Sequence, residues 1–365
     1  MKNKISELLI LVIKKQRDRK ILGYIDWEEF INQGARNQII PQIYRYLKPY
    51  KELVPSSIWD RLHKFHLYNT ASNLKKSLLL KEILKTFNNK RIDLIPLKGL
   101  YLSRHLWGDF TQRTGSDIDI LIREEDWDRA RDALEGLGYR LSSKNYSRGL
   151  IKRFIRHLGF YRSDPPSYVE VHWNFFAAQE KRFDMSKIWE RAKEDSLFGY
   201  KILTLDPSDL LIYSSIAIAI HGYLGLKLYQ DLYEIFNKHR DQLDWDYIVR
   251  EVIENRQRTR IYYSLFFSKE ILGIPIPDRV LRLLSPSPIQ KRIFSLLIDK
   301  RKILSPWSPN DISGYYDLVR LATMDRFTDV IKTLSSLSLL HLKEIENRYK
   351  GRRIWRNISS IIKQR

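Results

Sequence analysis

The stretch "RTGSDIDILI", Arg113 to Ile122, decides the fold. Isoleucine and leucine make it a core strand, yet Asp117 and Asp119 sit in it one residue apart. Aspartate is depleted in strands and costly to bury without a partner. Side chains two residues apart in a strand share a face, so the two carboxylates project together while Ile118, Ile120 and Ile122 face a core. Close carboxylates repel unless a cation lies between them, and Mg²⁺ is usually held by one or two carboxylates plus substrate phosphates. A D-x-D strand beside a phosphate-binding loop is therefore a metal–nucleotide seat; a strand with one solvated face is the bland alternative.

The flanking sequence adds three features. Upstream, "LIPLKG" is a short strand that feeds Lys98 and Gly99 into a turn opening a helix, where backbone N–H groups attract phosphate and lysine adds a point charge. It is not a Walker loop, because G-x-x-x-x-G-K-[ST] is absent. Downstream, "SYVEVHWNF" places Glu170 and His172 on one strand face, so Glu170 offers a third carboxylate. His172 reads first as a hydrogen-bonded framework histidine beside Trp173. Arg113, directly before the D-x-D strand, suits a triphosphate or a carboxylate.

Around this centre, residues 91–203 alternate strands and helices: "REEDWDRARDALEGLG" is a helix, and "RFIRHLGFYRSDPPSYVEVHWNF" is two strands about an Asp-Pro-Pro turn. Residues 1–90 are helical by the three- and four-residue recurrence of apolar positions in "NLKKSLLLKEILKTF". Residues 204–365 are helical again, with Asp206-Pro207 as a helix start and "GIPIPDR" and "SPSPIQ" as breaks.

The 365 residues carry a formal net charge of +21, which favours polyanionic partners over basic or neutral ones. The tail from Lys343 to Arg365 concentrates that charge: Lys343, Arg348, Lys350, Arg352, Arg353, Arg356, Lys363 and Arg365 against Glu344 and Glu346. Its isoleucines recur near helical spacing, so a helix that caps the core competes with a nucleic-acid contact. The absence of cysteine excludes disulfides and thiolate metal sites and fits the cytoplasm. The apolar run in "DLLIYSSIAIAIHGYLGL" is interrupted by polar residues, so no membrane span is expected.

Taken in order, "LIPLKGLYLSRHLW", "RTGSDIDILI", "WDRARDALEGLGY" and "VEVHW" resemble the bacterial nucleotidyltransferases of the DNA-polymerase-beta-like superfamily, in the branch with a Lys-Gly loop and a Leu-His-Trp-like strand. The resemblance runs from about Leu94 to Pro277, including a helix that ends at His221 and a following helix that bears Asp231. It implies an α+β fold: a small mixed-sheet nucleotidyltransferase core between helical N-terminal and C-terminal regions. It further implies an NTP donor and divalent metal, Mg²⁺ or Mn²⁺, with Asp117, Asp119 and Glu170 as catalytic metal ligands. Lys98, Gly99, Arg113 and Ser116 fall at nucleotide-binding positions, with His172, His221 and Asp231 as pocket candidates. The broader superfamily has Gly-Ser in the phosphate loop; here Leu100 follows Gly99, and Lys98 is the substitute. The expected reaction is transfer of an NMP to an acceptor hydroxyl on a small molecule, a peptide or protein, or a tRNA as in toxin-like members. A basic RNA-binding scaffold with a spent core is the non-enzymatic alternative.

Overall fold

The computed structural model describes residues 2–115, 117–142, 156–175, 183–305 and 315–334. Four helices lead the chain: α1 (Lys2–Lys14), α2 (Trp27–Arg36), α3 (Ile40–Leu47) and the 34-residue α4 (Ser56–Asn89). Asp26 starts α2 by accepting a hydrogen bond from the Glu29 amide, an N-cap satisfying an otherwise orphaned donor. The apolar sides of these helices do not form a separate core. Leu8, Phe30, Ile43 and Leu62 share one hydrophobic cluster with Leu211, Leu232, Ile248 and Ile261 from the C-terminal helices.

The central sheet has five strands in the order β1-β2-β5-β4-β3. They are β1 (Leu94–Pro96), β2 (Ile118–Ile122), β3 (Arg140–Leu141), β4 (His157–Ser163) and β5 (Pro166–His172). Helix α5 (Gly99–Trp107) joins β1 to the loop before β2, and α6 (Trp127–Gly136) follows β2. β2 and β5 run parallel, with Asp119 opposite Glu170, while the other pairs are antiparallel. Period two then assigns the faces. Ile118, Ile120, Val169, Val171 and Phe160 enter a second cluster with Leu80, Ile83 and Leu84 of α4 and Leu134 of α6. The opposite face carries Asp119, Glu170 and His172.

Helix α7 (Met185–Arg191) precedes a hairpin of β6 (Lys193–Leu197) and β7 (Tyr200–Thr204), for which the sequence reading had no assignment. The C-terminal region begins with α8 (Pro207–Ile220), where the Asp206 side chain accepts from the Ser208 amide. It continues through α9 (Leu226–His239), α10 (Trp245–Glu254) and α11 (Arg258–Leu272). Among the described residues, no helix is long and apolar enough to cross a membrane. The basic tail, residues 343–365, lies outside the described residues.

Candidate active site

Asp117 directly precedes β2, Asp119 is the second residue of that strand, and Glu170 is Asp119's partner on β5. One carboxylate oxygen from each lies within 4.8 Å of the other two. Asp119 is only 5% exposed and has two compensating neighbours. Lys98 Nζ stands 3.6 Å from its Oδ1, and His172 Nε2 donates to the same oxygen at 3.2 Å. Burial opposes the charge on Asp119, but Lys98, His172 and Arg113 outweigh it and hold its pKa well below the carboxylate range. Asp117 moves the other way: burial, then the Asp119 and Glu170 charges, push its pKa up. Three hard oxygen donors whose mutual repulsion is incompletely offset fit a divalent cation such as Mg²⁺ or Mn²⁺.

The two histidines act on the carboxylates. The neighbours of His172 Nε2 are Asp119 Oδ1 and Glu170 Oε2, the latter 3.4 Å away. Ionised carboxylates only accept, so Nε2 carries the proton, and this hydrogen bond is the main cause that lowers the Glu170 pKa. His157 stacks on His172 with ring centroids 4.8 Å apart. Burial and His172 push its pKa down to about 4, leaving it neutral near pH 7. Arg156 Nε donates to its Nδ1 at 3.3 Å, which places the His157 proton on Nε2, pointing toward Glu170 Oε2 at 3.8 Å. Held this way, His157 has no Nε2 lone pair for a metal.

Residues 24–273, more than half of the chain, match the sequence profile of a family described as an uncharacterised nucleotidyltransferase. The chain belongs to that nucleotidyltransferase family. No curated protein matches it. Similar solved structures include the antibiotic-resistance factor ANT(2'')-Ia, at 13% identity over 53% of this chain and 96% of the other, with a TM-score of 0.35. An antigenic nucleotidyltransferase-like protein from Paracoccidioides brasiliensis is 15% identical over 58% of this chain and 92% of the other, also with a TM-score of 0.35. JHP933 from Helicobacter pylori is 12% identical over 74% of this chain and 97% of the other, with a TM-score of 0.30. The family assignment rests on the profile match, not on these distant likenesses.

In this nucleotidyltransferase the phosphate-loop candidates sit at the edge of the acidic face. Gly99 opens α5 with φ +61°, a left-handed conformation suited to glycine, and a Cβ there would lie 3.5 Å from the Asp117 carbonyl oxygen. Lys98 occupies the N-cap position, and lysine has no acceptor with which to cap the first N–H groups of the helix. The Lys98 ammonium packs 5.6 Å from the centre of the Tyr213 ring. Burial pushes the Tyr213 hydroxyl up to about 12, so at ordinary pH the tyrosine is neutral and Asp119 supplies the countercharge for Lys98. Ser116 lies outside the described residues.

The expectation for Arg113 left a triphosphate or a carboxylate open; the structure supplies a carboxylate. Arg113 Nε donates to Asp231 Oδ1 at 3.0 Å, and Nη2 donates to Oδ2 at 3.0 Å, with both residues buried. Asp231 thus holds the loop before β2 to α9, and its partner is Arg113, not His221. His221 is the C-cap residue of α8 and is exposed. Desolvation, then the Lys98, Lys227 and Arg156 charges, lower its pKa.

Sequence reasoning missed a polar stripe on α4. Asn69 Nδ2 donates to Thr111 O at 2.8 Å, and Asn73 Nδ2 donates to Phe110 O and Arg113 O at 2.7 and 3.0 Å. Lys76 Nζ donates to Gly115 O. Spaced by four and three residues, these side chains share one helix face and clamp the loop leading to Asp117. The signal was available as two asparagines and a lysine recurring where apolar residues otherwise fill the helix. Lys227 was missed as well: it donates to Gln38 Oε1 at 3.1 Å, and burial together with Arg113 pushes its pKa down to about 7.

Proposed function

We propose that this chain transfers a nucleoside monophosphate from an NTP to an acceptor hydroxyl and releases pyrophosphate. The observation that carries the reading is the convergence of Asp117, Asp119 and Glu170 on two adjacent parallel strands. It is supported by Lys98 at the start of α5 and by the family to which the chain belongs.

Asp117, Asp119 and Glu170 would hold divalent metal. When bound, that metal offsets charge on the triphosphate and lowers the pKa of the acceptor hydroxyl. The remaining work falls to the chain. Lys98 and the first N–H groups of α5 bind the β- and γ-phosphates. The acceptor oxygen attacks the α-phosphorus as the bond to the bridging oxygen breaks, with pyrophosphate as leaving group. Glu170 takes the hydroxyl proton. His172 keeps its carboxylate oriented for that transfer.

The test is incubation of the protein with each α-labelled NTP, Mg²⁺ or Mn²⁺, and cell extract separated into RNA, protein and small-molecule fractions. Label transfer with matching pyrophosphate release, lost in Asp119→Asn, is the expected result. Folded protein that transfers label from no NTP with either metal refutes the reading.

A further inference from the structure

A cavity of about 400 Å³ opens between α4 and the beginning of β5, within the size range of small-ligand sites. Tyr68, Ser72, Lys75 and Lys76 line it from α4, facing Ser167 and Tyr168 of β5. Tyr68, Ser72 and Lys75 recur at four and three residues and share one helix face. Ile118 in its wall points into the sheet's core, away from Asp119, whereas Tyr168 is two residues before Glu170 and hence on the same strand face.

The position of Tyr168 depends on Gly159. A Cβ at Gly159 would come within 1.8 Å of Tyr168 Oη and 2.3 Å of its Cζ. Gly159 is also Glu170's partner on β4. The missing side chain therefore lets the tyrosine ring lie across the neighbouring strand, beside the third carboxylate. Tyr168 remains 37% exposed, and Tyr68 on the facing wall is 75% exposed. Two accessible aromatic faces and the exposed Lys75 ammonium are the chemistry that binds a base and a phosphate: rings stack on rings, and lysine meets phosphate as a point charge.

We propose that this cavity is the acceptor seat and that the acceptor is a nucleotide unit, its base against Tyr168 and its phosphate at Lys75. The inference rests on the transferase reading for the word acceptor, but binding can be measured without turnover. A nucleotide unit arrives free or as the end of a nucleic-acid strand.

Fluorescence anisotropy with two probes, labelled AMP and a short 5′-labelled single-stranded RNA, tests the seat on the full chain. Equilibrium dialysis of Mg·NTP on the same protein reports the donor side. The wild type is expected to bind one or both probes, the tighter one identifying the source. Tyr168→Ala is expected to weaken binding about tenfold, within the range of one lost stacking contact. Lys75→Glu and Gly159→Ala are expected to weaken it as well, the latter by displacing Tyr168 without altering charge. Probe binding untouched by all three variants overturns the inference. So does failure of both probes while Mg·NTP binds, which leaves the transferase reading standing. Probe binding sensitive to these variants, with no Mg·NTP binding, supports the seat and sinks the transferase reading instead.

Discussion

Replacing Asp231 with asparagine takes away the carboxylate that accepts both hydrogen bonds of the buried Arg113 guanidinium. The two groups are 118 residues apart in sequence and joined by contacts of 3.0–3.1 Å, with Arg113 7% and Asp231 3% exposed. Unit charges about 4 Å apart at an effective dielectric near 20 interact by roughly 4 kcal/mol. Removing one member of such a buried pair costs about 3–5 kcal/mol, chiefly through the charge left behind. Asp231→Asn is therefore expected to lower unfolding stability by about 4 kcal/mol, read from the midpoint and slope of urea denaturation followed by tryptophan fluorescence. The double variant Arg113→Met/Asp231→Leu removes both charges and keeps most of the volume, so it should regain most of the loss. A single variant within about 1 kcal/mol of wild type, or a double variant no more stable than the worse single, refutes the claim that this pair ties α9 to the loop before β2.

Three shorter predictions follow from the site. Asp119→Asn keeps the side-chain shape but removes one metal-ligand charge, and nucleotidyl transfer should fall by orders of magnitude; a folded variant with a near-wild-type rate rejects Asp119 as a ligand. Asn73→Ala orphans the Phe110 and Arg113 carbonyls and should cost about 1–3 kcal/mol in urea unfolding, whereas an unchanged midpoint would mean that the clamp holds nothing. Lys227 has a folded pKa lowered to about 7 from 10.5, so the unfolded chain binds the extra proton between those values and this residue's contribution makes stability rise with pH there. Triphosphate restores its charge, so NTP binding should take up a proton and weaken as pH rises above about 7; a pH dependence identical in Lys227→Met removes Lys227 from the site.

The strand-borne acids were legible because a period of two is local: D-x-D and E-x-H need no knowledge of the rest of the chain. The order of the elements carried the α+β fold for the same reason. What escaped was non-local. Nothing in the sequence pairs Arg113 with Asp231, because an ion pair leaves no periodic trace. Asn69, Asn73 and Lys76 lay in a segment read only for its apolar positions. Their partners are backbone carbonyls, which every residue supplies, so the match has no sequence signature. His157 looked like any strand residue until the antiparallel β4–β5 register placed it opposite His172.

Helix α4 imposes a rule on which changes in length this chain can absorb. Ile58 and Leu62 belong to the helical body, while Leu79 to Phe87 belong to the sheet's own core. The 17 residues from Leu62 to Leu79 span about 25 Å at 1.5 Å per residue, without a break. One residue added within that span rotates everything beyond it by about 100° relative to the other end. One core would keep its contacts only if the other surrendered them, and the asparagine clamp would swing off its loop. A loop can lose or gain residues because its ends stay in place; this helix cannot. Drift in length should therefore collect at the turns on either side of α4, while its middle keeps a fixed residue count as surface side chains change.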